Sequence, residues 1–209
     1  GVPMLSITKI ASVEMDVNSY LLAKDNQAII IDPGFNGLKI LEHLKQYNLT
    51  LEAVILTHGH FDHIKDLTKL KDLGLKLYIH EKEEDFLYDK SLNLAIYFND
   101  NFFLPKNFEL IKVKDNDEIM FQGEKLKFIH LPGHSRGSQG LLYNRHFFSG
   151  DCLFYDSIGR TDLPTGKFQE MELSLKRLKI LLSRETIVYP GHGRGGSLGE
   201  ILKINPYLN

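Results

Sequence analysis

One cysteine, Cys152, is all that 209 residues provide. That excludes an internal disulfide framework and every zinc motif built from several cysteines, and it makes a reducing compartment the simpler expectation. Long apolar runs are lacking too: none approaches the roughly 18 residues a transmembrane helix needs, and the N-terminus has no charged region followed by an apolar one. The reading is a cytoplasmic protein with no membrane partner. An excess of one charge is also missing, since Lys plus Arg is 25 and Asp plus Glu is 27, for a formal charge of -2 and a pI near 6.5. Without a basic footprint no nucleic-acid partner is expected. Internal repeats, linkers and low-complexity stretches are absent. What the chain does have is 43% hydrophobic residues, enough at this length to bury roughly 70–75% of the unfolded surface. The expectation is a single domain over residues 4–209, with Gly1-Val2-Pro3 ahead of Met4 read as a remnant of cloning.

Short apolar runs rich in β-branched residues recur at Leu5 to Ile10, Tyr20 to Ala23 and Ala28 to Ile31, separated by polar turns, and predict an opening β-meander. Leu38, Leu41 and Leu44 after Asp32-Pro33-Gly34 suggest a helix, and Ala53 to Thr57 a further strand. Ile64, Leu67, Leu70 and Leu73 then recur at threes, behind Asp62 as an N-cap and ahead of Gly74 at the C′ position, which predicts one continuous helix. Strands are expected at Leu75 to Ile79, Phe108 to Val113, Glu118 to Phe121, Leu126 to Leu131, Gly140 to Tyr143, His146 to Ser149 and Thr186 to Tyr189, with helices at Glu170 to Leu182 and Leu198 to Ile204. The aromatic-rich segment 86–105 reads first as a core-covering loop with short helices and second as a substrate-facing wall or a dimer surface. The charged runs Glu81 to Asp85 and Lys112 to Glu118 read as solvated faces.

Three turns share one design, an apolar strand followed by glycine and histidine: Thr57-His58-Gly59-His60, Pro132-Gly133-His134 and Pro190-Gly191-His192-Gly193. Asp32 and Asp151 stand at strand ends in the same way, so five ends can converge on one spot. The densest piece is His58-Gly59-His60-Phe61-Asp62-His63. Its chance occurrence is on the order of one in a thousand for a chain of this composition. Imidazole with carboxylate suits zinc, iron or manganese. In an extended turn His58 and His60 point the same way, while Asp62 and His63, at a helix start, can face a second point nearby, so the spacing offers ligands to two metals.

Through these motifs, in this order and together with Gly150-Asp151, the sequence resembles the metallo-β-lactamase superfamily over nearly its whole length. The resemblance implies an α/β (α+β) fold, a four-layer αββα sandwich with the site along one edge. It implies His58, His60 and His134 on one metal, Asp62, His63 and His192 on a second, and Asp151 bridging, with Asp62 and Asp151 as the catalytic carboxylates and Asp32 supporting the ligand loop. Two divalent ions are the expected cofactors, zinc first, with iron or manganese as alternatives. Metal lowers the pKa of bound water from 15.7 to about 7, so hydroxide can attack a polarised carbonyl without a serine or cysteine nucleophile.

Gly150-Asp151-Cys152-Leu153-Phe154 followed by Ile158-Gly159-Arg160-Thr161-Asp162-Leu163-Pro164 is similar to short glyoxalase II-like hydrolases, and also to persulfide dioxygenases. The first likeness implies hydrolysis of a small-molecule thioester such as S-lactoylglutathione. The chain stops soon after His192, without the C-terminal helical extension that binds glutathione in glyoxalase II. The second implies oxygen chemistry at one iron held by His58, His134 and Asp151. Pro190-Gly191-His192-Gly193 and Tyr155-Asp156-Ser157-Ile158 favour the hydrolase. A lactonase of the same fold would need the same hydroxide, and a nuclease is disfavoured by the near-neutral charge. Arg160 reads either as an ion pair with Asp162 that braces the loop or as a contact to a substrate carboxylate. Arg136 and Arg194 read as surface positions, His130 as a supporting residue, and Cys152 as a small buried residue that is not a nucleophile.

Overall fold

A computed structural model describes residues 4–13 and 15–209; the segment 1–3 lies outside the described residues. The first six strands are β1 (Ser6–Ala11), β2 (Asn18–Lys24), β3 (Gln27–Ile31), β4 (Thr50–Ile55), β5 (Lys76–His80) and β6 (Glu109–Val113), hydrogen-bonded in that order into one sheet. β1 to β3 form the expected antiparallel meander, and β3 to β6 run parallel. The second sheet is assembled from β7 (Glu118–Phe121), β8 (Glu124–His130), β9 (Gln139–Tyr143), β10 (His146–Gly150), β11 (Ile187–Pro190) and the two-residue β12 (Gly196–Ser197) in the order β12-β11-β10-β9-β8-β7. Here the pairs are antiparallel except β10 with β11.

Strand alternation divides the core into three. In β3, Ile29 and Ile31 face the other sheet, where they join Leu22, Phe128 and Phe148, while Ala28 and Ile30 face the helices α1 (Gly37–Gln46), α2 (Phe61–Ile64) and α3 (Leu67–Leu70). On the far side of the second sheet, Ile129, Phe147 and Val188 pack with Met171, Leu175 and Leu178 of α5 (Phe168–Leu181) and Ile201 of α6 (Leu198–Ile204). The layers are therefore helix, sheet, sheet, helix, the expected four-layer sandwich. Both faces of β3 being covered explains its unbroken apolar run. No helix among the described residues is long and apolar enough to cross a membrane.

The helix expected behind Asp62 is not continuous. It is split into α2, α3 and a 3-10 turn at Lys71–Leu73, with Gly74 left-handed (φ 65°) at its end as expected. The loop after β3 causes the break: Gly34 N–H donates to the His63 carbonyl (3.0 Å), and the Asp66 N–H donates to the Gly34 carbonyl (2.8 Å). Asp62 is not the N-cap either; His60 holds that position without a side-chain bond. Asp66 does cap a helix, but a different one, accepting from the Gly37 N–H at the start of α1 (2.9 Å). Segment 86–105 contains α4 (Lys90–Asn93) and a 3-10 turn, Ala95–Phe98. Phe86 and Phe102 are buried while Tyr97, Phe98 and Phe103 are exposed, so the segment both covers core and presents aromatic surface.

Candidate metal centre

β3, β4, β8, β10 and β11 each end on the residues the sequence singled out. Within each sheet these strands share a direction, which puts their carboxyl ends on one edge. Asp32 follows β3, the His58 to His63 turn follows β4, His134 follows β8, Asp151 follows β10 and His192 follows β11. Open α/β sheets carry functional groups at such ends.

The structure brings all seven named donors together, in two groups that meet at Asp151. His58, His60 and His134 form one; Asp62, His63, Asp151 and His192 form the other. His60 Nδ1 is 3.1 Å from His134 Nε2, and Asp151 Oδ2 lies 3.7 Å from His58 Nε2 and 3.5 Å from His134 Nε2. On the other side Asp151 is 3.2 Å from both His63 Nε2 and His192 Nε2, and Asp62 Oδ2 is 3.3 Å from His192 Nε2. A Cβ on Gly191 would run into Asp151 Oδ1, and one on Gly159 into the Asp151 carbonyl, so both neighbours must be glycine for this carboxylate to sit at the centre.

The outer ring nitrogens are tied down. His134 Nδ1 donates to the Arg160 carbonyl (2.7 Å), His192 Nδ1 to the Asp16 carbonyl (3.0 Å), and His63 Nδ1 to Asp32 (2.9 Å). Asp32 also accepts from Thr57 N–H (2.8 Å) and Thr57 Oγ1 (2.5 Å), leaving that hydroxyl to accept from His58 Nδ1 (3.1 Å). One buried carboxylate thereby fixes the tautomer of a histidine in each group and aims both Nε2 lone pairs inward. Asp32 belongs to a third donor group with His58 and His63, but its oxygens are already engaged by these bonds.

The electrostatics fit a cation. Burial holds His58 well below 6.5 and His60 down at about 3, so both are neutral donors. Burial opposes charge on His63 and His192 as well, yet the surrounding acids win: Asp151, Asp62 and Asp32 raise His63 well above 6.5, and Asp151 and Asp62 push His192 to about 10. Burial in turn opposes charge on Asp151, and His63 and His192 overcome it, holding its pKa well below the usual carboxylate range. A divalent ion supplies the positive charge those protons otherwise provide. His58 Nε2 and Asp151 Oδ1 are moreover buried polar atoms of the two donor groups without a hydrogen-bond partner. The donor set and its unpaired atoms therefore fit a divalent metal.

One supporting residue was not found in the sequence. Glu83, within a run read as a solvated face, is fully buried. Its Oε1 accepts from Gly59 N–H (3.0 Å) and Ser135 Oγ (2.7 Å), its Oε2 from Gly137 N–H (2.9 Å), so it ties the His58–His60 turn to the His134 turn. Burial raises its pKa to about 7 against these donors. The signal available was spacing: Phe86 and Leu87, three and four residues on, share its buried side. The Arg160 guanidinium pairs with Asp162 through both Nε (2.6 Å) and a terminal nitrogen (2.9 Å) and also lines a cavity of about 310 Å3 over the centre. Arg136 pairs with Asp85, and Arg194 lies over the Tyr155 ring; neither lines that cavity. His130 stacks on His80 with ring centres 4.0 Å apart, outside the donor groups. Cys152 is buried and its thiol is pushed up to about 12 by that burial, as fits a packing residue.

The sequence pattern of the metallo-beta-lactamase superfamily matches residues 13–192. Hydroxyacylglutathione hydrolase GloC of Haemophilus influenzae is 30% identical over 191 residues, which span 88% of this chain and 89% of the relative. Among solved structures, BLEG-1 B3 metallo-beta-lactamase is similar with a TM-score of 0.90 at 32% identity, over 98% of this chain and 100% of that one. TTHA1623, solved in a di-iron-bound form, gives 0.83 at 32% identity over 96% and 100%. The histidine and aspartate cluster at the sheet edge thus has its place in a known family, and the chain belongs to the metallo-β-lactamase superfamily of metal-dependent hydrolases.

Proposed function

We propose that this protein hydrolyses thioesters at a pair of divalent metal ions. His58, His60 and His134 hold one ion, Asp62, His63 and His192 the other, and Asp151 bridges them. The observation that carries this reading is the second donor group: Asp62 and His192 stand 3.3 Å apart beside Asp151. The alternative, a persulfide dioxygenase with one iron on His58, His134 and Asp151, keeps the same donor motif, and Tyr155-Asp156-Ser157-Ile158 and Pro190-Gly191-His192-Gly193 favour the hydrolase over it. When bound, such a pair lowers the pKa of water into the neutral range and polarises a carbonyl. Zinc is the first candidate, with iron or manganese next.

The residues around the cavity support a thioester over an amide. Departure of an amine needs a general acid. Among the described residues, and apart from the proposed ligands, the only titratable group on the cavity lining is Arg160, which does not give up a proton at neutral pH. Cys152, at about 12 and buried, serves no better. A thiolate, whose parent thiol has a pKa near 8.5, departs unaided. Arg160 stands on the cavity lining with its side chain 64% exposed, placed to meet a carboxylate on the part of the substrate that extends outward. The name of the GloC relative points to the same substrate class.

The test is loss of S-D-lactoylglutathione by metal-replete protein, run beside oxygen uptake with glutathione persulfide. Metal-dependent thioester loss without oxygen uptake is the expected result. Persulfide-dependent oxygen uptake would replace the reading with mononuclear iron chemistry.

A further inference from the structure

The cavity over the metal centre is uneven in chemistry. Besides the donor side chains and Gly159 the described residues that line it are Met15, Phe61, Leu94, Phe98, Phe154, Leu163 and Arg160, whose guanidinium is already gripped at two nitrogens by Asp162. Among the described residues, no serine, threonine, asparagine, glutamine, tyrosine or lysine lines it. A pocket that selects a hydroxyl-bearing group provides a neutral hydrogen-bonding partner for it. This one provides hydrocarbon.

The wall is a constructed feature. Phe98 stacks on Phe61 with ring centres 5.0 Å apart and remains 46% exposed, and Phe154 meets His192 edge-on at 5.7 Å. Leu94 holds a left-handed backbone (φ 74°, ψ 9°), a conformation that disfavours a leucine side chain. Neighbouring bonds enforce it: the buried Asn93 donates to the Phe86 carbonyl (2.7 Å) and accepts from the Ala95 N–H (2.8 Å). Residues held in this conformation cluster at functional sites, and this one closes α4 with its side chain on the cavity lining. The volume, about 310 Å3, is at the small end for ligand pockets, so it takes an acyl group and leaves a bulky thiol outside.

We infer that the preferred substrate carries an unsubstituted aliphatic or aromatic acyl group larger than lactoyl, and that Leu94 and Phe98 set this preference. The inference rests on the thioesterase reading above and specifies its acyl half. The experiment compares kcat/KM of metal-replete protein for acetyl, butyryl, hexanoyl and D-lactoyl thioesters of N-acetylcysteamine. The expected result is a gain of roughly fourfold per methylene, the worth of ~0.8 kcal/mol of apolar burial, with D-lactoyl below butyryl. Leu94→Gly, which suits the left-handed backbone, and Phe98→Ala, each checked for an intact melting transition, should flatten the gain to below about twofold per methylene. Equal rates at all lengths, or D-lactoyl as the best substrate, would overturn the inference. Absence of turnover with every thioester would instead sink the thioesterase reading. The wall is then judged by calorimetry: tighter binding of hexanoate than of lactate supports it, and equal or reversed affinity refutes it.

Discussion

Asp32 shows how much of this site depends on a single side chain. It accepts from His63 directly and, through Thr57, orients His58, so both histidines present a bare Nε2 to the centre. Replacing it with alanine is expected to lower metal affinity by about 10–100-fold, the usual cost of losing such a support, read by competition against a chelator. Replacing His58 or Asp151 with alanine should abolish turnover while circular dichroism stays native; wild-type rates in either variant would refute the ligand assignment. Arg160→Ala leaves the backbone carbonyl that orients His134 in place, so the expected effect is a several-fold rise in KM with kcat nearly unchanged. A lower melting temperature with unaltered kinetics would make the guanidinium a loop brace only. At this scale the sequence was most informative where donors are adjacent, as in His58 to His63. It was silent on Glu83 and on the Arg160 carbonyl, because a buried carboxylate inside a charged run and a backbone acceptor leave little mark on residue type.

Between elements, the same backbone groups that position the site break its helix. Gly34 takes the His63 carbonyl and the Asp66 N–H, ending α2 after one turn. Apolar spacing cannot report a competing hydrogen bond from a loop thirty residues away, which is why a continuous helix was expected. Glu83 acts across elements too, joining the turns after β4 and β8 through three donors. In Glu83→Gln one oxygen becomes an NH2 group facing an N–H or O–H donor, leaving a buried mismatch. The variant is expected to bind metal more weakly, on the order of tenfold, with kcat recovered at saturating metal.

A further pair joins the ends of β5 and β8, where His80 stacks on His130. Burial, with the charges of His130 and Lys82, lowers His80 to about 4, and its Nδ1 accepts from the Lys82 N–H (3.1 Å). The unfolded chain takes up this proton near 6.5. Stability is therefore present above that pH and is lost as pH falls toward 4. Denaturant unfolding from pH 7 to 4 should show His80→Gln losing less stability than wild type, by up to roughly 3 kcal/mol. Parallel pH curves would contradict the assignment.

Across the whole molecule, two sheets with covered outer faces bring five strand ends to one edge, and the chemistry follows from that convergence. Short β-branched apolar runs between polar turns made most of the sheet strands legible, and the layer architecture was implied by the family resemblance that the Gly-His and Gly-Asp turns carry. The two-residue β12 and the route of segment 86–105 were not legible, since neither is set by periodicity: β12 is defined by pairing with β11, and the aromatic segment by the polar clamp at Asn93. The central claim is that the seven converging donors hold a pair of ions with Asp151 between them. Metal content of the purified, metal-replete protein tests it most directly: about two equivalents per chain are predicted, falling to about one in Asp62→Asn, whereas one equivalent in wild type that Asp62→Asn leaves unchanged would contradict it.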